Sequence, residues 1–181
     1  FPLAVDDPRP PAIPAPELKT LYTIDKDDAG VHVLTVASHT GTHVDMPRHV
    51  VPDGLTLHDF APDEFIFTKP VVVDIAAADD AIVGPDAVEP FADRIASADI
   101  ALFRFGYGNV RKTDPDRFTN HCPGFSVVAG QWLKDRFPNL RTLGMDVPSL
   151  AFTCAREERH TSTRIWRRSA QYCEQSEALP E

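Results

Sequence analysis

Short apolar runs that alternate with segments of helical periodicity constrain the fold of this chain more than any other feature. Residues 70–75, 100–105 and 140–145 are apolar stretches of strand length, and the first is typical of a strand buried on both faces. Residues 85–95 and 126–137 lie between these runs and carry apolar side chains along one helical stripe. Because strands and helices alternate, the chain is predicted to form an α/β fold with a mixed β-sheet flanked by helices.

The N-terminal region differs in composition from the rest of the chain. Six prolines fall within residues 1–16, and proline fixes φ and removes a backbone donor, so this segment is predicted to be an extended surface arm. Strand-like sequence begins at Leu21 and continues through residues 31–36. We therefore divide the chain into a proline-rich arm over residues 1–20 and a single domain over residues 21–181.

Net charge and cysteine content limit the binding partners and the cellular compartment that we expect for this protein. The formal net charge is −9, from 18 Lys+Arg and 27 Asp+Glu, which disfavours nucleic acid or an anionic membrane as the main partner. The apolar runs are too short to span a bilayer. The three cysteines form no CxxC pair and we see no signal-peptide pattern, so a reducing, cytoplasmic location is expected.

Three of the seven histidines crowd into one window of eleven residues. Residues 39–49 read His-Thr-Gly-Thr-His-Val-Asp-Met-Pro-Arg-His. Packing explains such crowding poorly, because protein cores rarely place several imidazoles side by side. The alternative interpretation is a surface loop that carries three histidines and a capping aspartate. His32 and His58 lie outside the window, and we expect them to be surface or core histidines.

The residue types in this window predict a bend followed by an extended run. Gly41, the β-branched neighbours and Pro47 all oppose a helix. In an extended run, His43 and Asp45 are two residues apart and point to the same face, and a bend at Gly41 can fold His39 back beside them. Two imidazoles and one carboxylate then form a facial ligand set that suits Zn²⁺ or Mn²⁺ and leaves positions open for water and substrate.

The same window closely resembles the signature of the cyclase family of metal-dependent hydrolases, which includes bacterial kynurenine formamidase and isatin hydrolase. Residues 51–57 resemble the family's loop after this motif, and residues 103–108 and 143–149 resemble its later strand ends. The resemblance covers roughly residues 20–150, and it implies a swivelling β/β/α-like domain. It departs after Leu150, where the tail is rich in Arg and Glu instead of aliphatic residues.

The resemblance also implies roles for individual residues. His39, His43 and Asp45 would be metal ligands, with Asp45 bridging two ions where the site is binuclear, so that one or two Zn²⁺ or Mn²⁺ bind per chain. His49 would be the general acid/base. His160 and Glu174 would complete a second metal position, and the alternative for His160 is a solvated helix residue. Family members commonly form dimers or tetramers, so a homodimer or homotetramer is expected.

The function expected from this resemblance is hydrolysis of a small-molecule amide by metal-activated water. The type reaction is that of an arylformamidase, which converts N-formylkynurenine to kynurenine and formate. Tyr107, between two glycines at a strand end, is the aromatic residue that we expect to contact the substrate. Two alternatives stay open, namely hydrolysis of a lactam such as isatin, and a degenerate metal-binding paralogue without turnover. A serine or cysteine hydrolase has little support, because there is no GxSxG motif.

Overall fold

A five-stranded mixed sheet organises the part of the chain that the structure describes. The computed structural model describes residues 5–10, 12–49 and 51–150, together with the backbone of residues 171–174. The strands of this sheet are β3 (His43–Asp45), β4 (Pro70–Asp74), β6 (Ile100–Arg104), β8 (Thr142–Met145) and β9 (Gln171–Glu174). They follow the order β3-β9-β8-β6-β4, and all neighbouring pairs are parallel except β3 with β9. The α/β class with a mixed sheet is thus confirmed.

The described residues also form two smaller sheets and five short α-helices. An antiparallel hairpin is formed by β1 (Glu17–Tyr22) and β2 (Val31–Thr35). A parallel pair is formed by β5 (Ile82–Val83) and β7 (Gly124–Phe125). The helices are α1 (Ile24–Asp27), α2 (Ala92–Ile95), α3 (Tyr107–Thr113), α4 (Pro115–Asn120) and α5 (Val127–Arg136). Over the residues described, no helix has the length and apolar character needed to cross a membrane.

The prediction of one helix over residues 85–95 is wrong in detail. The segment forms two 3₁₀ turns, Pro85–Ala87 and Glu89–Phe91, and only then the short helix α2. Pro90 lies within the second turn and has no N–H to donate to a preceding carbonyl. A regular α-helix therefore starts only after this proline.

The core combines buried side chains of the parallel strands with side chains of helix α5. Val73, Phe103 and Leu143 come from three parallel strands and are fully buried together with Leu133 of α5. Phe125 packs edge-on against Phe103, with ring centroids 5.0 Å apart. Side chains at every second position of these strands thus belong to one continuous apolar cluster on one face of the sheet.

Buried Asp146 anchors helix α3 at the end of strand β8. Its carboxylate accepts hydrogen bonds from the backbone N–H groups of Phe105, Tyr107 and Gly108, at 2.7, 2.8 and 3.2 Å. Burial raises the pKa of the Asp146 carboxyl, and the three donors oppose that rise. This contact joins β8 to the strand–helix turn that follows β6.

The proline-rich arm lies against the body of the domain where it is described. The Asp7 carboxylate forms an ion pair of 2.5 Å with the guanidinium of Arg111, which is 2% exposed. Strand β1 begins at Glu17, so the predicted boundary at residue 20 falls inside a strand. The reason is that residues 17–20 pair with β2, a contact that composition alone does not reveal.

Candidate metal centre

The histidine window lies at the carboxyl edge of the parallel strands. Strand β3 runs antiparallel to β9, and its first residue, His43, pairs with Glu174, the last residue of β9. The start of β3 therefore lies at the edge where β9, β8, β6 and β4 end. Ligands of open α/β sheets bind outside the carboxyl ends of the strands, in a crevice formed by the loops that follow them.

A tight bend at Gly41 brings the two ends of the window together. Gly41 has φ of +68°, a left-handed conformation that glycine adopts without steric cost. The chain then continues as the extended strand β3 from His43. The predicted bend and the predicted extended run are both present in the structure.

Three side chains converge as the sequence predicts. The Nδ1 atom of His39 lies 3.0 Å from Nε2 of His43 and 3.1 Å from Oδ1 of Asp45. The distance from His43 Nε2 to Asp45 Oδ1 is 3.4 Å. The three atoms form a triangle with nearly equal sides, and the same residues form the one group of potential ligands found among the described residues.

The size of this triangle fits a divalent ion. Bonds of about 2.0 to 2.2 Å place neighbouring ligand atoms about 3.0 to 3.4 Å apart in tetrahedral or octahedral geometry. The side chain of Asp45 is only 4% exposed, and a buried carboxylate is stable only when its charge is compensated. A cation bound between the three atoms would supply that compensation.

The backbone orients one of the two imidazoles for this role. Nδ1 of His43 lies 3.0 Å from the carbonyl oxygen of Gly41, and because a carbonyl only accepts, this nitrogen carries the proton. In the neutral ring, Nε2 then presents its lone pair to the centre of the triangle. The bend residue Gly41 thus also selects the tautomer that a metal ligand needs.

His49 lies beside the triangle, outside the three converging atoms. It ends a 3₁₀ turn over Pro47–His49, and its Nδ1 is 2.9 Å from Nε2 of His39. The rings of His39 and His49 have centroids 3.9 Å apart, whereas His49 Nε2 is 4.0 Å from Asp45 Oδ2. The side chain is 40% exposed, so one edge of this imidazole faces solvent next to the centre.

The structure does not bring the remaining predicted site residues into the triangle. His160 falls outside the described residues. Glu174 is described by its backbone alone, which pairs with that of His43. Tyr107 is not at a free strand end, because it is the first residue of α3 and its side chain is buried. Its role toward a substrate stays a prediction.

A polar network around Tyr107 was not predicted from the sequence. The Tyr107 hydroxyl donates to Asp79, which also accepts from Nε of Arg117 at 2.8 Å. The guanidinium of Arg117 lowers the pKa of the Asp79 carboxyl, while burial and the nearby Asp79 raise the pKa of the Tyr107 hydroxyl. The available signal was the Asp79-Asp80 pair soon after β4, at the same carboxyl edge as the histidine window.

Comparison with known proteins identifies a family and a fold. The family model described as "Putative cyclase" matches residues 3–151. An uncharacterized protein of Haemophilus influenzae is 28% identical over 117 residues, which cover 65% of this chain and 82% of that protein.

Two solved structures share the architecture. Isatin hydrolase A from Ralstonia solanacearum is similar with a TM-score of 0.78 and 21% identity, over 96% of this chain and 76% of that chain. A potential metal-dependent hydrolase with cyclase activity is similar with a TM-score of 0.67 and 21% identity, over 96% of this chain and 78% of that chain. At these identities the similarity shows a common fold. Because the family model covers most of the sequence, this protein belongs to the cyclase family.

Proposed function

We propose that the protein is a metal-dependent hydrolase that cleaves a small-molecule amide bond, with N-formylkynurenine as the type substrate. The observation that carries the proposal is the triangle of His39 Nδ1, His43 Nε2 and Asp45 Oδ1, with sides of 3.0, 3.1 and 3.4 Å. A facial set of two imidazoles and one carboxylate is a ligand set of hydrolytic and redox metal enzymes, and it leaves other positions open.

His39, His43 and Asp45 would hold Zn²⁺ or Mn²⁺. A divalent ion at this position would act as a Lewis acid that lowers the pKa of water and polarises the substrate carbonyl. Gly41 keeps His43 in the tautomer that presents Nε2. The burial of Asp45 keeps bulk water from screening its charge.

His49 would move the proton in the reaction. In amide hydrolysis, the oxygen of water bonds to the carbonyl carbon, the C–N bond breaks, and one water proton moves to the departing nitrogen. His49 would take up that proton from the attacking water and return it to the departing nitrogen, so that the ring begins and ends the reaction neutral. Its Nδ1 lies 2.9 Å from His39 Nε2, which keeps the imidazole beside the three candidate ligands. An imidazole suits this step at neutral pH because its ordinary pKa is near 6.5, as the reference value for histidine gives.

Further residues belong to the same proposal. His160 and Glu174 would complete a second metal position, and the pairing of the Glu174 backbone with His43 is compatible with this. Tyr107 would line the substrate pocket. A cytoplasmic location is proposed from the cysteine content alone.

Lactam hydrolysis is the second candidate. The chemistry of attack on a cyclic amide is the same, and the shared fold with isatin hydrolase A supports it. A paralogue that binds metal without turnover is the third. The shape of the substrate pocket separates the first two, and turnover separates both from the third.

The exposed hairpin supports the proposal of a homodimer or homotetramer. Every residue of β1 and β2 is exposed, and a two-stranded hairpin is marginally stable in water by itself. Its exposed apolar side chains include Leu18, Leu21, Tyr22, Val31, Val33 and Leu34. A second copy of the chain that covers these side chains would remove them from water.

Metal analysis of the purified protein tests the proposed function. We expect about one or two equivalents of Zn or Mn per chain for the wild type, and loss of this metal in His43→Ala. His58→Ala is the matched control, because His58 is exposed and lies in a separate 3₁₀ turn. Turnover is then measured with N-formylkynurenine and isatin by absorbance.

Each outcome decides between the candidates. Metal with turnover of the formamide supports the leading proposal, and turnover of isatin alone supports the second. Bound metal without turnover on a panel of small amides and lactams supports the inactive paralogue. If the wild type takes up neither Zn²⁺ nor Mn²⁺, the proposed metal centre is wrong.

A further inference from the structure

The loop after the histidine window is closed by its own backbone hydrogen bonds. The Val51 N–H donates to the Pro47 carbonyl at 3.0 Å, and the Gly54 N–H donates to the Val51 carbonyl at 2.8 Å. The Arg48 N–H donates to the Leu55 carbonyl at 3.0 Å. The segment from Pro47 to Leu55 therefore returns on itself, and its second half lies against the turn that carries His49.

Gly54 is the point of closest approach in this loop. A Cβ at Gly54 would lie 2.7 Å from the carbonyl carbon of Pro47, 2.8 Å from its oxygen and 2.8 Å from the nitrogen of Arg48. These three atoms form one peptide group, which cannot rotate away as the end of a flexible side chain can. Gly54 is not in the left-handed region, so space and not backbone conformation demands glycine here.

This contact lies one residue from His49. The Pro47–Arg48 peptide belongs to the 3₁₀ turn that ends at His49, whose N–H donates to the Met46 carbonyl at 3.0 Å. A displacement of that peptide moves the imidazole whose Nδ1 lies 2.9 Å from His39 Nε2. His39, His43 and Asp45 precede the turn, and the three distances of their triangle join these residues to one another and not to the turn.

We propose that Gly54 is a positioning residue. Because it has no side chain, the Pro47–Arg48 peptide packs directly against it, and this packing places the His49 imidazole against His39. The inference rests on the proposed function in so far as His49 moves the proton. It predicts that a side chain added at residue 54 lowers turnover and weakens the His39–His49 hydrogen bond, while metal binding stays unchanged.

Gly54→Ala is the test, with Gly84→Ala as the matched control. Gly84 has nothing within 4 Å of an added Cβ, so it reports the general effect of replacing glycine by alanine. Pro52→Gly is a second variant, which loosens the same loop without adding an atom and therefore remains testable if Gly54→Ala does not fold. All variants are compared with the zinc-loaded wild type.

Two readouts are needed, one of which does not depend on turnover. In Gly54→Ala we expect kcat to fall by about tenfold or more at nearly unchanged KM and unchanged zinc content, since displacements of about 1 Å are that costly. We also expect loss of the ¹⁵N–¹⁵N coupling across the hydrogen bond between His39 and His49. Pro52→Gly should weaken both signals, and Gly84→Ala should keep both.

Opposite results overturn the proposal. If Gly54→Ala keeps the coupling between the two imidazoles, Gly54 does not position His49. Equal losses of kcat in Gly54→Ala and Gly84→Ala would reject it as well. If the wild type hydrolyses no substrate, the proposed function fails, and the coupling alone still decides whether Gly54 positions His49.

Discussion

At the scale of single residues, Asp79 joins the segment after β4 to two helices that follow much later in the sequence. It accepts hydrogen bonds from the Tyr107 hydroxyl at the start of α3 and from Arg117 in α4. The guanidinium carbon of Arg117 also lies 5.5 Å from the centroid of the Tyr107 ring. The carboxylate therefore connects the segment after β4 to both helices.

The lowered pKa of Asp79 predicts how stability depends on pH. Because the folded pKa lies below the ordinary value of 3.8, the stabilisation is present above that value and is lost as pH falls through the folded pKa. Asp79→Asn should lower the free energy of unfolding near neutral pH, and its difference from wild type should shrink at acidic pH. Urea titrations between neutral pH and pH 3 measure this.

Asp93→Asn is the control for this experiment, because Asp93 is an exposed aspartate of helix α2. Its difference from wild type should stay small across the range. An Asp79→Asn difference that grows as pH falls would contradict the assigned direction of the pKa shift.

The candidate ligands could be predicted because they are close together in the sequence. The network around Asp79 could not, because its members are far apart along the chain. His39, His43 and Asp45 lie within seven residues of one another, so a bend and an extended run suffice to bring them together. Tyr107 and Asp79 are 28 residues apart, and only the packing of α3 beside the segment after β4 makes them neighbours.

At the scale of elements, helix α5 begins where its sequence predicts. The Ser126 hydroxyl accepts a hydrogen bond of 3.0 Å from the Ala129 N–H, and the helix starts at the next residue, Val127. The cap satisfies one of the backbone donors that the first turn leaves without a helical partner.

Removal of this cap has a definite expected cost. Ser126→Ala should lower the free energy of unfolding by about 1 kcal/mol, which is typical of an N-cap that loses its side-chain acceptor. Ser126→Asp keeps an acceptor and should remain close to wild type. Chemical denaturation measures both variants, and an Ser126→Ala protein as stable as wild type would show that the cap contributes nothing.

The segment over residues 85–95 shows where element prediction reaches its limit. Its apolar side chains follow a helical stripe, yet Pro90 divides it into turns and a four-residue helix. Periodicity reports which side chains face the core. The backbone hydrogen bonds that proline removes decide whether a continuous helix forms.

At the scale of the whole molecule, the hairpin of β1 and β2 is a part of the described chain in which every residue is exposed. Leu18 and Leu34 lie opposite each other in its register and are 62% and 53% exposed. The hairpin leads through residues 36–38 to His39, so an oligomer contact there would lie close to the metal centre along the chain.

A paired substitution tests the proposed oligomer. Leu18→Lys combined with Leu34→Glu keeps a favourable cross-strand pair and removes the apolar contact. We expect light scattering to give a multiple of the chain mass of 20.0 kDa for wild type and the single chain mass for the double variant. Val128→Lys, on an exposed position of α5, should stay oligomeric, and a monomeric wild type would refute the proposal.

The sequence by itself determined the strand runs, the bend at Gly41 and the grouping of His39, His43 and Asp45, since these depend on periodicity and on neighbours a few residues apart. Only the tertiary structure decided the burial of Asp45, the pairing of β3 at the carboxyl edge of the parallel strands, and the contact of Gly54 with the turn that carries His49. Pairing between distant strands and close packing of backbone on backbone are decided when the chain packs as a whole, and no local pattern of residue types records them.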